Sequence, residues 1–444
     1  MKKYKLGEIA DFNVKAISKS DSLQEIIYLD TSSITENVIS DTIIINIEDA
    51  PSRAQRRVKN NTIIYSTVRP RLKHYGILNN PQTNFIVSTG FVTIDLKEQY
   101  KQIIDPRYLY LLLTQSTITE YIGNIADTAV SAYPSINPAD ISSLSFNFPS
   151  FDLQKSVADI WENYDKKIVL NRQINQNLEA MAKQLYDYWF VQFDFPNEDG
   201  KPYKSSGSAM VWNEELKREI PQGWSNMSIG DYAPCKSGYA FKSKDFGGKG
   251  LPVIKIGNIQ ENYTLDMTDS QCIDLFNKTL FLAKRYDLVI AMTGATIGKF
   301  AISQSNYWVN QRVGRFDLGD RPLSRLGFLF NSLKQEYFRE QVFQIACGCA
   351  QPNISAEQID SISILKPNDV ILNQFNKLCE PLLELQSENY LQIEELTKQR
   401  DELLPLLMNG QVSVNSDLSV YKKRRGKVPS LTLNHVSDIQ ILQC

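Results

Sequence analysis

The chain of 444 residues is 42% apolar and 22% charged, values typical of globular proteins with two or three domains. Its formal net charge of −2 excludes a polycation, so any positive surface for nucleic acid must be local. Two histidines and six irregularly spaced cysteines argue against a metal site. The sequence has no apolar signal segment and no apolar run of membrane length, which predicts a cytoplasmic protein that contacts no membrane.

Residues 1–150 predict a first α+β domain. Short apolar runs are interrupted by Gly, Pro, Asn and Ser; residues 63–65 predict a buried strand, and residues 106–122 a helix. No acidic residue occurs between positions 51 and 94, and this stretch contains our candidate DNA-binding residues Arg53, Arg56, Arg57, Arg69, Arg71, Lys73 and His74. Charge alone also fits a solvated basic face.

Residues 151–193 predict one long helix, and residues 194–221, which are rich in Pro, Gly and Ser, predict a junction linker. A second α+β domain is predicted for residues 222–369, with a buried strand at 288–290 and a helix at 323–344. Residues 288–316 again lack acidic side chains. This second stretch supplies the candidate DNA-binding residues Thr293, Lys299, Asn310, Gln311, Arg312 and Arg315. Arginine can read guanine, and Asn or Gln can read adenine.

Residues 370–410 predict a second long helix, and residues 411–444 a C-terminal tail whose basic run 422–425 we interpret as solvated. Apolar residues alternate at steps of three and four in both helices, which is typical of a coiled coil. We predict that the register of a helix pair depends on six residues: Asn171, Leu178, Leu185, Asn389, Leu396 and Leu403. Two separate amphipathic helices, each packed on its own domain, remain an alternative. Pro381 predicts a kink or a late start of the second helix.

The two halves of the chain are related by an internal repeat with a period of about 218 residues. The repeat pairs Pro134 with Pro352, Ile136 with Ile354, Ile141 with Ile359, Pro149 with Pro367, and Asn171 with Asn389. Because several matches occur in one order, chance is a poor explanation. The sequence therefore predicts the same domain and helix twice.

Catalytic motifs are incomplete. Residues 294–299 resemble a phosphate-binding loop, but the loop is one residue short and Phe300 stands where Ser or Thr is needed. Residues 105–108 resemble the DPPY motif of amino-methyltransferases, but Arg107 interrupts it. We therefore expect a protein that is not an enzyme and that holds no cofactor or metal of its own.

Several segments resemble the specificity subunit of type I restriction-modification systems. They are residues 66–70 (STVRP), 293–299 (TGATIGK), 186–190 (YDYWF), 200–207 (GKPYKSSG), 220–224 (IPQGW) and 403–412 (LLPLLMNGQV). The resemblance covers residues 1–414. It implies two tandem target recognition domains, each reading one half of a bipartite, asymmetric sequence in double-stranded DNA, and two helices packed as an antiparallel coiled coil with pseudo-twofold symmetry.

The same resemblance implies a role in phage defence as part of a larger complex. Two modification (methyltransferase) subunits, which use S-adenosylmethionine, would dock on the helices, and restriction (translocase and endonuclease) subunits would supply chemistry that requires ATP and Mg. A coiled-coil scaffold that does not touch DNA is the alternative function, and an independent enzyme is the third. Two acidic domain faces would favour the scaffold, and a methyltransferase pocket would favour the enzyme.

Overall fold

The computed structural model describes residues 2–18, 21, 23–128, 134–274, 278–346 and 352–408. The chain forms two compact units, one comprising Met1–Lys166 and the chain from Thr397 onward, the other Lys167–Leu396. The predicted tail, residues 411–444, lies outside the described residues.

Unit 1 combines small sheets with helices. Its strands are β1 (Lys2–Lys5), β2 (Ala10–Phe12), β3 (Glu25–Leu29), β4 (Ile34–Thr35), β5 (Val38–Ile39), β6 (Ile43–Asn46), β7 (Ala54–Arg57), β8 (Ile63–Ser66), β9 (Tyr75–Ile77), β10 (Phe85–Ser88), β11 (Phe91–Leu96) and β12 (Ser145–Phe148). Its helices are α1 (Leu6–Ile9), α2 (Pro106–Leu113), α3 (Ser116–Asp127), α4 (Pro138–Ser142) and the first part of α5 (Phe151–Tyr186). The last part of the second long helix, from Thr397, also belongs to unit 1.

Unit 2 repeats most of these elements and has an additional hairpin, residues 210–221, before them. Its strands are β13 (Met210–Asn213), β14 (Arg218–Pro221), β15 (Ser225–Ser228), β16 (Cys235–Ser237), β17 (Leu251–Ile254), β18 (Cys272–Ile273), β19 (Leu282–Ala283), β20 (Leu288–Ala291), β21 (Phe300–Ile302), β22 (Tyr307–Val309), β23 (Val313–Phe316) and β24 (Ser363–Lys366). Its helices are α6 (Ile229–Tyr232), α7 (Leu323–Leu333), α8 (Glu336–Ala346), α9 (Ala356–Asp360) and the first part of α10 (Asp369–Met408).

The sheets have the same strand order in both units. The order β2-β11-β8-β9 in unit 1 corresponds to β16-β23-β20-β21 in unit 2, and β6-β3-β10-β7 corresponds to β18-β17-β22-β19. In the second sheet of each unit the central pair is parallel, with β10 beside β3 and β22 beside β17. The strands β8 and β20 are buried along their whole length, as their apolar sequences predict. The predicted duplication is therefore confirmed as a duplicated fold.

In each unit, the sequence predicted one helix before the long helix, and the structure has two. Residues 106–122 form α2 and part of α3, and residues 323–344 form α7 and most of α8. In unit 1, Gln115 adopts an extended backbone with ψ 142°, which ends one helix and begins the next. Periodicity could not detect this break because the apolar spacing continues through it.

Both long helices are present, although α5 ends at Tyr186, where a π-helical turn continues to Val191, and not at the predicted residue 193. One further detail of the prediction is wrong. Helix α10 begins at Asp369, where the side chain of Asn368 accepts a hydrogen bond from the amide of Ile371 at 2.8 Å. The late start predicted at Pro381 is therefore wrong. Pro381 is exposed inside the helix, where it removes one backbone hydrogen bond without burying an unpaired group.

Between residues 378 and 386, the buried face of α10 lies one residue beyond two apolar positions of the three-four spacing. Leu378 and Leu385 are 47% and 44% exposed, whereas Cys379, Leu383 and Gln386 are buried. Cys379 packs so closely on α7 that a methyl group at Gly327 would lie 2.6 Å from its Cβ. Packing on the body of unit 2, and not only on another helix, thus selects this face.

The six predicted register residues have mixed environments. Leu178 is buried, while Leu185, Leu396 and Leu403 are half-buried. In unit 2, Nδ2 of Asn389 donates to Oδ1 of Asn175 at 3.0 Å, and Nδ2 of Asn171 donates to Oε1 of Gln392 at 3.2 Å. Asn389 thus bonds a residue about one helical turn from Asn171, and Asn171 bonds a residue about one helical turn from Asn389. In these pairs the residue number rises along one helix as it falls along the other, so the helix segments of unit 2 are antiparallel.

The predicted linker is a folded part of unit 2. Residues 194–221 contain the hairpin β13–β14, and Phe193, Phe195 and Trp224 are buried in the same core as α7. The rings of Phe195 and Trp224 stack with their centroids 4.7 Å apart. Pro and Gly in this segment therefore form turns, not a flexible connection.

Candidate nucleic-acid interface

The turns after β8 and β20 occupy the same place in their units. In unit 1, the amide of Arg69 donates to the carbonyl of Pro134 at 2.9 Å; in unit 2, the amide of Gly294 donates to that of Pro352 at 3.0 Å. A short 3-10 turn follows in both, at Pro70–Leu72 and Gly294–Thr296. We call residues 67–74 the first turn and residues 292–299 the second turn. They include most of the segment STVRP and all of TGATIGK, so these two segments occupy equivalent places in their units.

A second loop lies beside each turn. In unit 1, the amide of Thr67 donates to the carbonyl of Gly90 at 2.9 Å, and the amide of Thr89 donates to that of Arg53 at 2.8 Å. In unit 2, the amide of Met292 donates to the carbonyl of Arg312 at 3.0 Å. Exposed Arg53 therefore lies near the first turn, and exposed Gln311 and Arg312 near the second.

Arg71 is held by helix α3. Its guanidinium bonds Glu120 at 3.1 Å, Asn124 at 2.7 Å and Asp127 at 2.5 Å. These carboxylates, with Asp127 the larger influence, raise the pKa of Arg71. We interpret Arg71 as the residue that anchors the first turn to α3.

Lysines in both turns pair with a glutamate. Nζ of Lys73 lies 2.5 Å from Oε1 of Glu36, and Nζ of Lys299 lies 2.5 Å from Oε1 of Glu261. Each pair lines a pocket, of about 260 Å³ in unit 1 and about 390 Å³ in unit 2. The neighbouring His74 places Nδ1 2.6 Å from the carbonyl oxygen of Ile34.

The remaining candidates are less accessible. Arg56 and Arg57 lie on β7 and are half-buried; burial lowers the pKa of Arg56, and Arg57 pairs with Asp21 at 3.0 Å. Thr293 is 9% exposed, and Asn310 is half-buried in the loop that precedes Arg312.

Arg315 lies in the body of unit 2. Its side chain is 13% exposed and pairs at 3.1 Å with Asp287, whose side chain is 5% exposed. Burial raises the pKa of Asp287, and its bonds to Lys284 and Arg315 oppose that rise. A deeply placed pair of this kind fits a structural role better than contact with a ligand.

Sequence reasoning missed an aromatic cluster in unit 2. The Tyr239 ring lies 5.1 Å from that of Phe241 and 5.3 Å from that of Phe281, and Nζ of Lys278 lies 4.8 Å above Tyr239. Lys278 precedes β19 as Arg53 precedes β7, and these two strands lie at corresponding edges of their sheets. The signal available in the sequence was the pair of aromatic residues Tyr239 and Phe241, with lysines at 236, 242 and 244 around it.

The incomplete catalytic motifs have other roles. Arg107, which interrupts the motif at 105–108, bonds Asp105, Asp159 and Glu162. Residues 294–299 lie in the second turn. Among the residues that the structure describes, no group of His, Cys, Asp and Glu could hold a metal ion, and no helix has the length and apolarity to cross a membrane.

The match to a protein-family model agrees with the duplicated fold. The model of the type I restriction modification DNA specificity domain matches residues 1–180 and 221–395, one match in each half. The chain is 27% identical to the type I restriction enzyme HindI specificity subunit of Haemophilus influenzae, over 93% of this chain and 99% of that protein. It is 24% identical to the MjaIX specificity subunit of Methanocaldococcus jannaschii, over 83% of this chain and 81% of that protein.

A solved structure has a similar fold. The crystal structure of a type I restriction-modification S subunit from M. genitalium matches with a TM-score of 0.55 at 15% identity, covering 91% of this chain and 95% of that chain. At this identity the likeness concerns the fold alone.

Proposed function

Since the chain belongs to the type I restriction modification DNA specificity family, we propose that each unit reads one half of a bipartite, asymmetric DNA target. The observation that carries this proposal is the repetition of one fold with different side chains on equivalent turns. Two copies of one framework can address two DNA segments, and unlike side chains can make those segments unequal in sequence. The chain itself is the specificity subunit, a component without a catalytic role of its own.

We further infer that α5 and α10 carry the partner subunits. The exposed surface of α10 includes Glu384, Glu388, Glu394, Glu395 and Glu402. Such an acidic surface repels DNA phosphate and favours protein contact. In this proposal two modification subunits bring S-adenosylmethionine, and restriction subunits bring the chemistry that depends on ATP and Mg.

Mapping methylated sites, one unit at a time, tests the division of labour. The chain would be assembled with its modification subunit, and Arg53→Ala in unit 1 would be compared with Arg312→Ala in unit 2. A residue that reads a base should weaken binding by about 1–3 kcal/mol and relax one position in its own half-site. A residue that contacts phosphate should instead reduce the salt dependence of binding by about one contact.

Exposed lysines outside both turns and both long helices provide matched controls. Lys3→Ala in unit 1 and Lys201→Ala in unit 2 also remove one exposed positive charge each and should leave the recognised sequence unchanged. Relaxation of the same half-site by both arginine variants would contradict the assignment of one unit to each half. Binding of the unaltered complex that shows no preference among DNA sequences would refute the proposed function and favour the scaffold.

The paired glutamates should restrain DNA binding. Glu36→Gln frees Lys73, and Glu261→Gln frees Lys299, so each variant should bind DNA about two- to fivefold more tightly at low salt. Fluorescence anisotropy with labelled duplex at two salt concentrations measures this change. Glu98→Gln is the control, because Glu98 pairs with Lys101 at 2.6 Å beyond the end of β11 that lies farther from the first turn. Unchanged or weaker binding by both turn variants would show that these lysines do not contact DNA.

A further inference from the structure

The first turn holds two basic residues in a backbone conformation that disfavours them. Arg69 has φ 49° and ψ 63°, and Lys73 has φ 58° and ψ 33°. In this left-handed region a residue with a Cβ is destabilised relative to glycine, and Arg and Lys lack the local side-chain hydrogen bonds that help Asn and Asp. The first turn therefore stores strain at two positions four residues apart.

The second turn places glycine at both equivalent positions. Gly294 and Gly298 have φ 75° and 79°. The correspondence follows from hydrogen bonds: the amide of Leu72 donates to the carbonyl of Arg69 in unit 1, as the amide of Ile297 donates to that of Gly294 in unit 2. One fold thus forms the same turn with glycine, which has no strain there.

Backbone atoms supply the contacts that define the turn at Arg69. Its amide donates to Pro134, and its carbonyl accepts from Leu72. Glycine would keep both. The anchoring of the turn to α3 depends on Arg71, which lies between the two strained residues. Because the second turn forms with glycine at both equivalent positions, this backbone conformation itself requires no side chain there. Strained side chains at these positions of the first turn therefore point to a function of their own.

We propose, on the basis of the proposed function, that Arg69 and Lys73 contact two DNA phosphates and that Arg71 positions them. Two exposed cations on a short, anchored turn suit a phosphodiester backbone. On binding, Lys73 exchanges Glu36 for a phosphate. The second turn offers no cation at these positions, so unit 1 makes more phosphate contacts through its turn than unit 2 does.

The double variant R69G/K73G converts the first turn to the glycine type of the second. In the full chain assembled with its modification subunit, the plot of log affinity against log salt should become shallower by about two, since each phosphate contact contributes roughly 0.9. Binding near physiological salt should weaken by about tenfold or more, as expected for losing charge-assisted contacts. The methylated sequence should not change, because phosphate contacts position the protein without specifying bases.

The thermal stability of R69G/K73G should not fall with its DNA affinity. Relief of strain should leave the thermal midpoint unchanged or raise it by about 2–4 °C. Lys217→Gly is the matched control, because Lys217 is also exposed and left-handed, with φ 50°, but belongs to the β13–β14 turn. It should relieve strain without altering DNA binding. The charge-conserving R69K/K73R should retain the salt dependence, and R69Q/K73Q should lose it.

The outcomes separate this inference from the proposed function. Specific binding by the unaltered complex, with the same affinity and salt slope in R69G/K73G, would overturn the inference and leave the function intact. A large fall in the thermal midpoint would show that the two side chains are structural and would also overturn it. If R69G/K73G no longer binds the modification subunit but keeps its DNA affinity, the two side chains contact a protein partner and not DNA, which also overturns the inference. Failure of the unaltered complex to bind any DNA preferentially would refute the function itself.

Discussion

Replacing Phe190 with alanine should destabilise unit 2 by about 3–5 kcal/mol, the usual cost of removing a buried aromatic ring. Phe190 is fully buried in the helical turn after α5. Its ring lies 4.8 Å from that of Phe375, 5.1 Å from that of Phe328 and 5.9 Å from that of Trp224. The cavity would therefore open where α5, α7, α10 and the junction meet.

Thermal unfolding followed by circular dichroism measures this loss. At about 2–4 °C per kcal/mol for a unit of this size, the transition of unit 2 should fall by roughly 6–20 °C. Val191→Ala is the neighbouring control, because Val191 is 42% exposed and should change the midpoint little. A loss below about 1 kcal/mol for Phe190→Ala would mean that the site refills, and that the junction is not part of a tightly packed core.

Arg107→Ala should destabilise unit 1 by about 3 kcal/mol, near the lower end for breaking a buried ion pair. Arg107 bonds Asp105, whose side chain is 7% exposed, and reaches Asp159 and Glu162 on α5 at 2.8 and 2.7 Å. Hydrogen bonding to Asp105 is the main cause of the raised pKa of Arg107. Alanine would leave three carboxylates without their shared cation.

The cost of Arg107→Ala should depend on pH. The hydrogen bond from Lys166 lowers the pKa of Glu162 most strongly, and the hydrogen bond from Arg107 lowers it further. A carboxylate with a lowered folded pKa stabilises the protein above its unfolded pKa, and this contribution disappears as the pH falls through the folded value. The difference between the two proteins should therefore be larger at pH 7 than at about pH 4, near the unfolded values. Denaturant titrations at both pH values test this, with Lys101→Ala as the exposed control. An equal difference at both would contradict the ion-pair explanation.

The internal repeat predicted the duplicated fold, and local apolar spacing predicted both long helices. Apolar spacing cannot tell that Leu378 and Leu385 are exposed, since they are as apolar as residues that are buried. The close approach of α7 at Gly327 contributes to the choice of the face that turns inward. That approach joins residues far apart in sequence, so periodicity carries no information about it.

Charge showed where basic residues cluster but not which ones are already neutralised. Arg71 meets carboxylates 49 and 56 residues away, and Lys73 meets one 37 residues away. The contrast between the turns was equally hidden. Arg69 and Gly294 become comparable only when their backbone hydrogen bonds align them. The candidate interface could therefore be located from sequence, whereas the separate roles of its arginines could not be assigned.

Unit 1 draws its residues from both ends of the sequence, and this affects the order in which the protein forms. Leu407 is buried in its core, beside partly buried Leu403 and Leu404. A ribosome releases these side chains only after it has synthesised all of unit 2, which is continuous from Lys167 to Leu396. Because domains fold as their segments emerge, unit 2 can complete its core during synthesis while unit 1 still lacks its last helix. The half of the protein that is translated first is thus the half that finishes last.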